Sequence, residues 1–244
     1  MFANADFALG WSAGFADPAS DWLLAIIDLH DQIIFYLLII MAAVIWFLVS
    51  TLAIAMSQSG QPTGHFGHLA HGNLVELIWT VTPALVLWAI GLPSLRLLYL
   101  MDEILDPEMT VIIMGSQWYW SYEFGGLQFD SFSVALPDLP LGHLRQLAVD
   151  TTLLLPIHTA IRLLVSSNDV IHSFAVPSLA LKVDAIPGRL NLAGLILNRS
   201  GNFYGQCSEL CGVLHGFMPI GVEGVALPQY YSFLDDHRLM VECK

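Results

Sequence analysis

Basic residues are scarce: eight Lys and Arg stand against 21 Asp and Glu in 244 residues, and none precedes Arg96. The formal net charge of -13 excludes nucleic acid as a natural partner, because a negative field repels phosphate, and favours a basic protein partner instead. Charge of either sign is thin at 12%, against 56% hydrophobic residues and a mean hydropathy of +0.65. That balance is too apolar for an ordinary soluble domain. Without Lys or Arg, Met1–Gln32 lacks the basic segment of a secretory signal and the arginines of a transit peptide, so it reads as part of the working protein. The same scarcity leaves the positive-inside rule almost nothing to count, and orientation does not follow from charge. Internal repeats and low-complexity segments are absent, and there are only three cysteines, one of them, Cys243, in the tail.

Two long apolar runs are present. Ile33–Ala55 carries no charged residue, and at about 1.5 Å per residue it exceeds the roughly 30 Å hydrocarbon core of a bilayer. Leu77–Leu100 is bounded by Glu76 and carries Arg96 near its far end; neighbours in a membrane can satisfy the carbonyls freed by Pro83 and Pro93. The expected organisation is an extramembrane segment over 1–32, a transmembrane hairpin over 33–100 with spans near 33–55 and 77–100, and a separate domain over 107–244. The acidic stretch Met101–Glu108, with Pro107 as its stop, marks the exit from lipid.

Beyond it lie short β-favouring runs: Val111–Met114, Trp118–Phe124, Leu153–Pro156, Ile161–Val165 and, after a turn at Pro187 and Gly188, Asn191–Leu197. Their spacing over about 130 residues predicts one antiparallel sandwich or barrel. The fold class is therefore mixed and membrane-anchored, two helices followed by an all-β domain.

The densest chemistry is the stretch Gly205–Met218, GQCSELCGVLHGFM, which places Cys207, Cys211, His215 and Met218 in one short loop. Thiolate, imidazole and thioether together suit electron-transfer copper. Two cysteines separated by three residues can both bridge two metals, each of which still needs a terminal nitrogen. His215 offers one. Zinc would want a second Cys or His pair, usually about two to four residues apart, and none is evident. A Cys207–Cys211 disulfide is the other reading in an oxidising compartment. A copper loop between the last strands fits a cupredoxin-like arrangement. For the second imidazole, His172, His143 and His158 compete on equal terms.

Several strings resemble cytochrome c oxidase subunit 2: Gln117–Glu123 (QWYWSYE), Val165–Leu179 (VSSNDVIHSFAVPSL), Asp184–Asn191 (DAIPGRLN), Tyr204–Cys211 (YGQCSELC) with His215 and Phe217–Ile220 (FMPI), Leu77–Pro83 (LIWTVTP) and Leu92–Glu103 (LPSLRLLYLMDE). The resemblance runs in order over residues 22–225. It implies a binuclear copper centre, CuA, with Cys207 and Cys211 as bridging thiolates. His172 and Met218 then resemble the terminal ligands of one copper, and His215 and the Glu209 backbone carbonyl those of the other. The Glu209 side chain is expected to face the catalytic subunit and to help hold a magnesium ion shared with it.

By the same resemblance, Trp118 is the exposed aromatic through which cytochrome c delivers its electron. Tyr119, Glu123, Asp150 and Asp169 are then expected to help dock that basic partner, and Glu76 to lie near the entrance of a proton pathway in the catalytic subunit. The resemblance implies an electron-accepting subunit of cytochrome c oxidase, whose partner subunit 1 reduces oxygen and pumps protons in company with other oxidase subunits and the lipid bilayer. The alternatives are a quinol-oxidase-type subunit 2, which lacks the copper ligands, and a membrane-tethered copper carrier. Packing is the competing reading of the aromatics and a helix-terminal acid that of Glu76. The segment Phe124–Leu127 is short and lacks the acids that many relatives carry there, so docking is expected to be weaker or differently oriented. His65, His68 and His71, at every third position between the spans, read as a His-rich interfacial loop rather than a metal trap. The absence of a lipoprotein cysteine favours the mitochondrial inner membrane, with the copper domain in the intermembrane space, over a bacterial plasma membrane with the domain in the periplasm.

Overall fold

The computed structural model describes residues 5–7, 10–57, 71–102 and 106–242. In chain order the elements are β1 (Ala5–Asp6), α1 (Asp21–Ser57), α2 (Asn73–Asp102), β2 (Met109–Ser116), β3 (Tyr119–Phe124), β4 (Leu127–Ser131), β5 (Leu153–Pro156), β6 (Ile161–Ser167), β7 (His172–Val176), β8 (Leu181–Ala185), β9 (Asn191–Leu195), β10 (Gly201–Cys207), β11 (Pro219–Val225) and α3 (Leu227–Glu242). The chain divides into two compact units, residues 27–99 and residues 1–26 with 100–244.

Both long helices are apolar enough to cross a bilayer. At about 1.5 Å per residue α1 is roughly 55 Å long, well beyond a hydrocarbon core. It begins 12 positions before the apolar run, and this first part carries Asp28, His30 and Asp31. In α2 the hydroxyls of Thr80 and Thr82 donate to the carbonyls of Glu76 and Ile78 at 2.8 Å each, the usual way such side chains settle in an apolar helix.

The β unit is a sandwich of two sheets, ordered β4-β3-β2-β6-β9 and β5-β11-β10-β7-β8, but it is mixed and not antiparallel as expected, because β2 runs parallel to β6 and β11 parallel to β5. Side chains alternate inward along β2 and β6, so Val111, Ile113, Ile161, Leu163 and Val165 share the core. Trp120 and Phe174 meet edge to face at 5.3 Å in its middle, the preferred geometry for aromatic quadrupoles. Tyr122 lies beside them with its hydroxyl buried and unpartnered, and burial pushes its ionisation well above the ordinary range. The β3–β4 turn is Gly125-Gly126, with φ of 58° and 83° and Phe124 paired to Leu127. Two residues with positive φ are what a two-residue hairpin demands, which is why this segment is so short.

On one side β10 pairs with β11; on the other its first half meets β1 and its last two residues meet β7. The N-terminal segment is fastened there. Arg199 forms an ion pair with Asp6, donates to the carbonyls of Asp17 and Pro18, and lies over the Phe203 ring at 5.2 Å. Helix α3, not foreseen in the sequence, buries Tyr230 against Phe124.

Candidate metal centre

Register brings the first pair of ligands together. Cys207, the last residue of β10, stands opposite Phe174 of β7, and His172 opens β7 two residues earlier. The imidazole Nδ1 lies 4.0 Å from the Cys207 sulfur. His143 and His158 are both exposed and remote from the thiols, so His172 is the one that the fold selects.

The loop to β11 then turns back on itself. Cys211 Sγ lies 3.9 Å from Cys207 Sγ, His215 Nδ1 lies 3.6 Å from Cys211 Sγ, and Met218 Sδ lies 3.5 Å from the same sulfur. The Cys207 thiol donates to the carbonyl of Glu209 at 3.3 Å, while the Glu209 side chain is exposed. His172, Cys207, Cys211 and Met218 are buried and His215 is half-buried. All six expected groups therefore converge in one place.

The two sulfurs are far beyond the roughly 2.05 Å of a disulfide, and both cysteines are free thiols. They are close enough for one ion, at a thiolate–metal length of about 2.3 Å, to touch both from either side of the line joining them. Each imidazole flanks a different sulfur, His172 that of Cys207 and His215 that of Cys211. This arrangement suits two ions bridged by thiolates better than one tetrahedral ion. Burial, and then the neighbouring Cys207 thiol, push the Cys211 thiol up to about 12. A metal must displace that proton, so affinity rises with pH.

Asp169, expected among the docking acids, is engaged at the centre. Its Oδ1 accepts from His172 Nε2 at 2.8 Å and its Oδ2 from the Gln117 N–H at 2.7 Å. Burial works against its ionisation, but the hydrogen bonds from His172, Val170 and Gln117 outweigh it and hold the carboxyl below its ordinary value. A carboxylate behind the distal nitrogen fixes the tautomer and aim of a metal-ligating imidazole. The pattern Asp169-x-x-His172 was visible in the sequence but was read only as surface charge.

The family described as cytochrome C oxidase subunit II, transmembrane domain, matches residues 8–97, and its periplasmic domain matches residues 109–225. The chain belongs to the cytochrome c oxidase subunit II family. Cytochrome c oxidase subunit 2 of Mycosarcoma maydis is 50% identical over 92% of this chain and 91% of its own length. The corresponding protein of Neurospora crassa is 45% identical over 97% of both. The crystal structure of the periplasmic domain of subunit II of cytochrome oxidase (CoxB) of Bradyrhizobium japonicum superposes with a TM-score of 0.52 at 40% identity, covering 57% of this chain and 99% of that one. The expected family and fold class, two apolar helices followed by a cupredoxin-like sandwich, are thus found. Membership makes the chain a membrane protein and a subunit of an oxidoreductase complex, cytochrome c oxidase.

Trp118, expected as an exposed aromatic, is half-buried, with its indole nitrogen enclosed and its ring against Gly212. It lines a groove of about 380 Å³ with Phe132, Leu136, Arg145, Leu214 and Phe217. Tyr119 stacks on Phe132 at 4.6 Å, and Asp150 Oδ1 accepts from the Phe132 N–H at 2.8 Å. Glu123 and Asp150 are exposed. Glu76 sits at the start of α2 and accepts from the Gly72 N–H at 3.4 Å, as a helix-terminal acid does. His71 is exposed; His65 and His68 lie outside the described residues.

Proposed function

We propose that this chain is the electron-accepting subunit of its oxidase: it takes electrons from cytochrome c at a CuA centre and passes them to the haem-copper catalytic subunit. That subunit reduces oxygen to water and pumps protons. The observation that carries this reading is the pair of thiols 3.9 Å apart with one imidazole beside each sulfur.

Cys207, Cys211, His172, Met218, His215 and the Glu209 carbonyl would hold the copper pair, the two thiols shared between the ions, with His172 and Met218 for one ion and His215 and the carbonyl for the other. Bound there, a copper pair supplies a one-electron site whose charge is shared between two ions. The residues of this chain do the rest. Asp169 aims His172, burial of both thiols and of Met218 excludes water, and strands β7 and β10 hold two of the ligands, His172 and Cys207, so little moves when charge changes. Glu209 turns its carboxylate outward, where a hard oxygen ligand serves a magnesium ion shared with the catalytic subunit rather than soft copper. Trp118 receives the electron, and Tyr119 with the acids Glu123 and Asp150 helps dock the partner. Glu76 lies near the entrance of a proton pathway in the catalytic subunit. The eukaryotic relatives favour the mitochondrial inner membrane, with the β unit in the intermembrane space.

A quinol-oxidase-type subunit is disfavoured because all six ligand groups are retained. A copper carrier is disfavoured because exchange needs an open site, whereas His172 and Met218 are essentially inaccessible. The test is copper stoichiometry with near-infrared absorption and electron paramagnetic resonance on the copper-loaded chain. Two coppers per chain and a mixed-valence signal are expected, and Cys207→Ser abolishes the signal. One copper with an ordinary blue spectrum refutes the reading.

A further inference from the structure

The ligands sit on β7, on β10 and in the loop before β11, yet contacts that govern their separation come from a stretch that contributes no ligand. Gly115 closes on the His172 side chain from β2. A Cβ placed there would stand 2.9 Å from the ring Cδ2 and 3.1 Å from Cβ and Cγ, whereas ordinary contact begins at 3.4 Å. Gly115 has no positive φ, so space and not backbone conformation demands glycine. A glycine inside a strand is otherwise a weakness, and it marks a close approach.

The ring cannot simply retreat. Its Nε2 is bonded to Asp169, Trp120 stands against it at 6.0 Å, and its backbone is paired with Ala185 of β8. Gly115 is equally fixed, paired with Trp120 of β3 and Ser167 of β6.

Two residues further on, the Gln117 side chain crosses to the copper loop. Its Nε2 donates to the carbonyl of Cys211 at 2.8 Å, and its backbone N–H holds Asp169. A segment of three residues therefore touches the first imidazole, the carboxylate that aims it and the backbone of the second thiol.

We propose that Gly115 and Gln117 are positioning residues: the end of β2 acts as a template that sets the separation of His172 and Cys211 before any metal arrives. The proposal rests on the copper reading for its spectroscopic arm, but the template itself is a property of the metal-free chain. A centre whose ligands are placed in advance by protein contacts keeps its geometry when it gains or loses an electron. The Cys211 loop is tied near its two ends, where the Ser208 N–H donates to the Ser173 carbonyl and Trp120 Nε1 to that of Met218, and at Cys211 itself it takes its register from β2.

The test uses the full-length chain in detergent, metal-free and copper-loaded, with Gly115→Ala, Gln117→Met and, as a matched control inside the loop, Gly216→Ala, where a Cβ meets nothing within 4 Å. Gln117→Met keeps the volume and removes the donor. In the metal-free chain it should raise amide exchange over residues 207–218 by roughly tenfold or more, leaving the strand amides unchanged. Once copper is loaded, Gly115→Ala should alter the hyperfine splitting and shift the midpoint potential or lower the copper count, because His172 is displaced, while Gly216→Ala should match the unaltered chain. If Gly115→Ala does not fold, Gln117→Met still decides. Loop exchange and copper spectrum both unchanged in Gln117→Met would overturn the template. If the unaltered chain failed to bind a copper pair, the copper reading would fall, and exchange in the metal-free chain would still judge the template.

Discussion

Asp169 carries a second duty that its exposed position does not advertise. Its carboxylate is only partly covered, yet each oxygen is committed, one to His172 and one to the turn that carries Trp118. Asp169→Asn keeps the shape and removes the charge. It should cost roughly 10–100-fold in copper affinity, as loss of a carboxylate behind a ligating histidine does, with the fold intact. Competition against a chelator of known affinity measures this; unchanged affinity would return Asp169 to the surface. Because its folded carboxyl titrates below the ordinary 3.8, the stability it lends is present above that value and lost as pH falls through the folded one. Cys211 has the opposite sign: its thiol is raised, so the metal-free fold is favoured below about 9 and loses that contribution as pH climbs toward about 12.

Among the elements, the turn between β2 and β3 combines packing with the proposed entry of the electron, and Trp118 is where the two can be separated. A fully buried Trp costs about 3–5 kcal/mol when cut to Ala, so a half-buried one should cost about 1–2. Trp118→Ala is thus expected to give a slightly less stable chain with an intact copper spectrum and a collapsed rate of electron transfer from cytochrome c. The defect should persist at saturating cytochrome c; an unaltered rate there would show that the electron arrives elsewhere. Which elements could be read in advance follows from packing. Strands β2, β3 and β6 carry β-branched or aromatic residues and β5 and β9 are short leucine-bearing runs, so all five were visible in outline. Strand β7 was not, because all five of its residues are buried and it shows no alternation. Strands β10 and β11 were hidden by Gly205, Gly221 and Gly224, which weaken a strand pattern yet are needed where a neighbour comes close: a Cβ at Gly205 would lie 2.0 Å from the Ala175 carbonyl oxygen. The proposed copper ligands were legible as residue types, but choosing His172 over His143 and His158 required the β7–β10 register or a family resemblance.

At the scale of the whole molecule, the net charge of -13 acts over distances that no single contact spans. On the proposed reading a basic partner would be drawn in by the summed field, and the apolar groove beside Trp118 would be the surface it finally touches. The two contributions separate by salt. Screening shortens the reach of exposed charge from about 30 Å at 0.01 M to about 8 Å at 0.15 M ionic strength, whereas apolar contact is hardly affected. The clean probe is the pair Glu123→Gln with Asp150→Asn, both exposed; the asparagine can still accept the Phe132 N–H, so only charge is removed. Asp169 is left out, since changing it would disturb His172. In steady-state assays with cytochrome c, the double variant should need a several-fold higher cytochrome c concentration for half-maximal rate near 0.01 M salt, and the gap should close near 0.15 M. Its maximal rate should equal that of the unaltered chain, because lost attraction is overcome by concentration and a lost relay is not. A salt-independent defect, or a lowered maximal rate, would mean that these carboxylates shape the bound complex instead of guiding its formation.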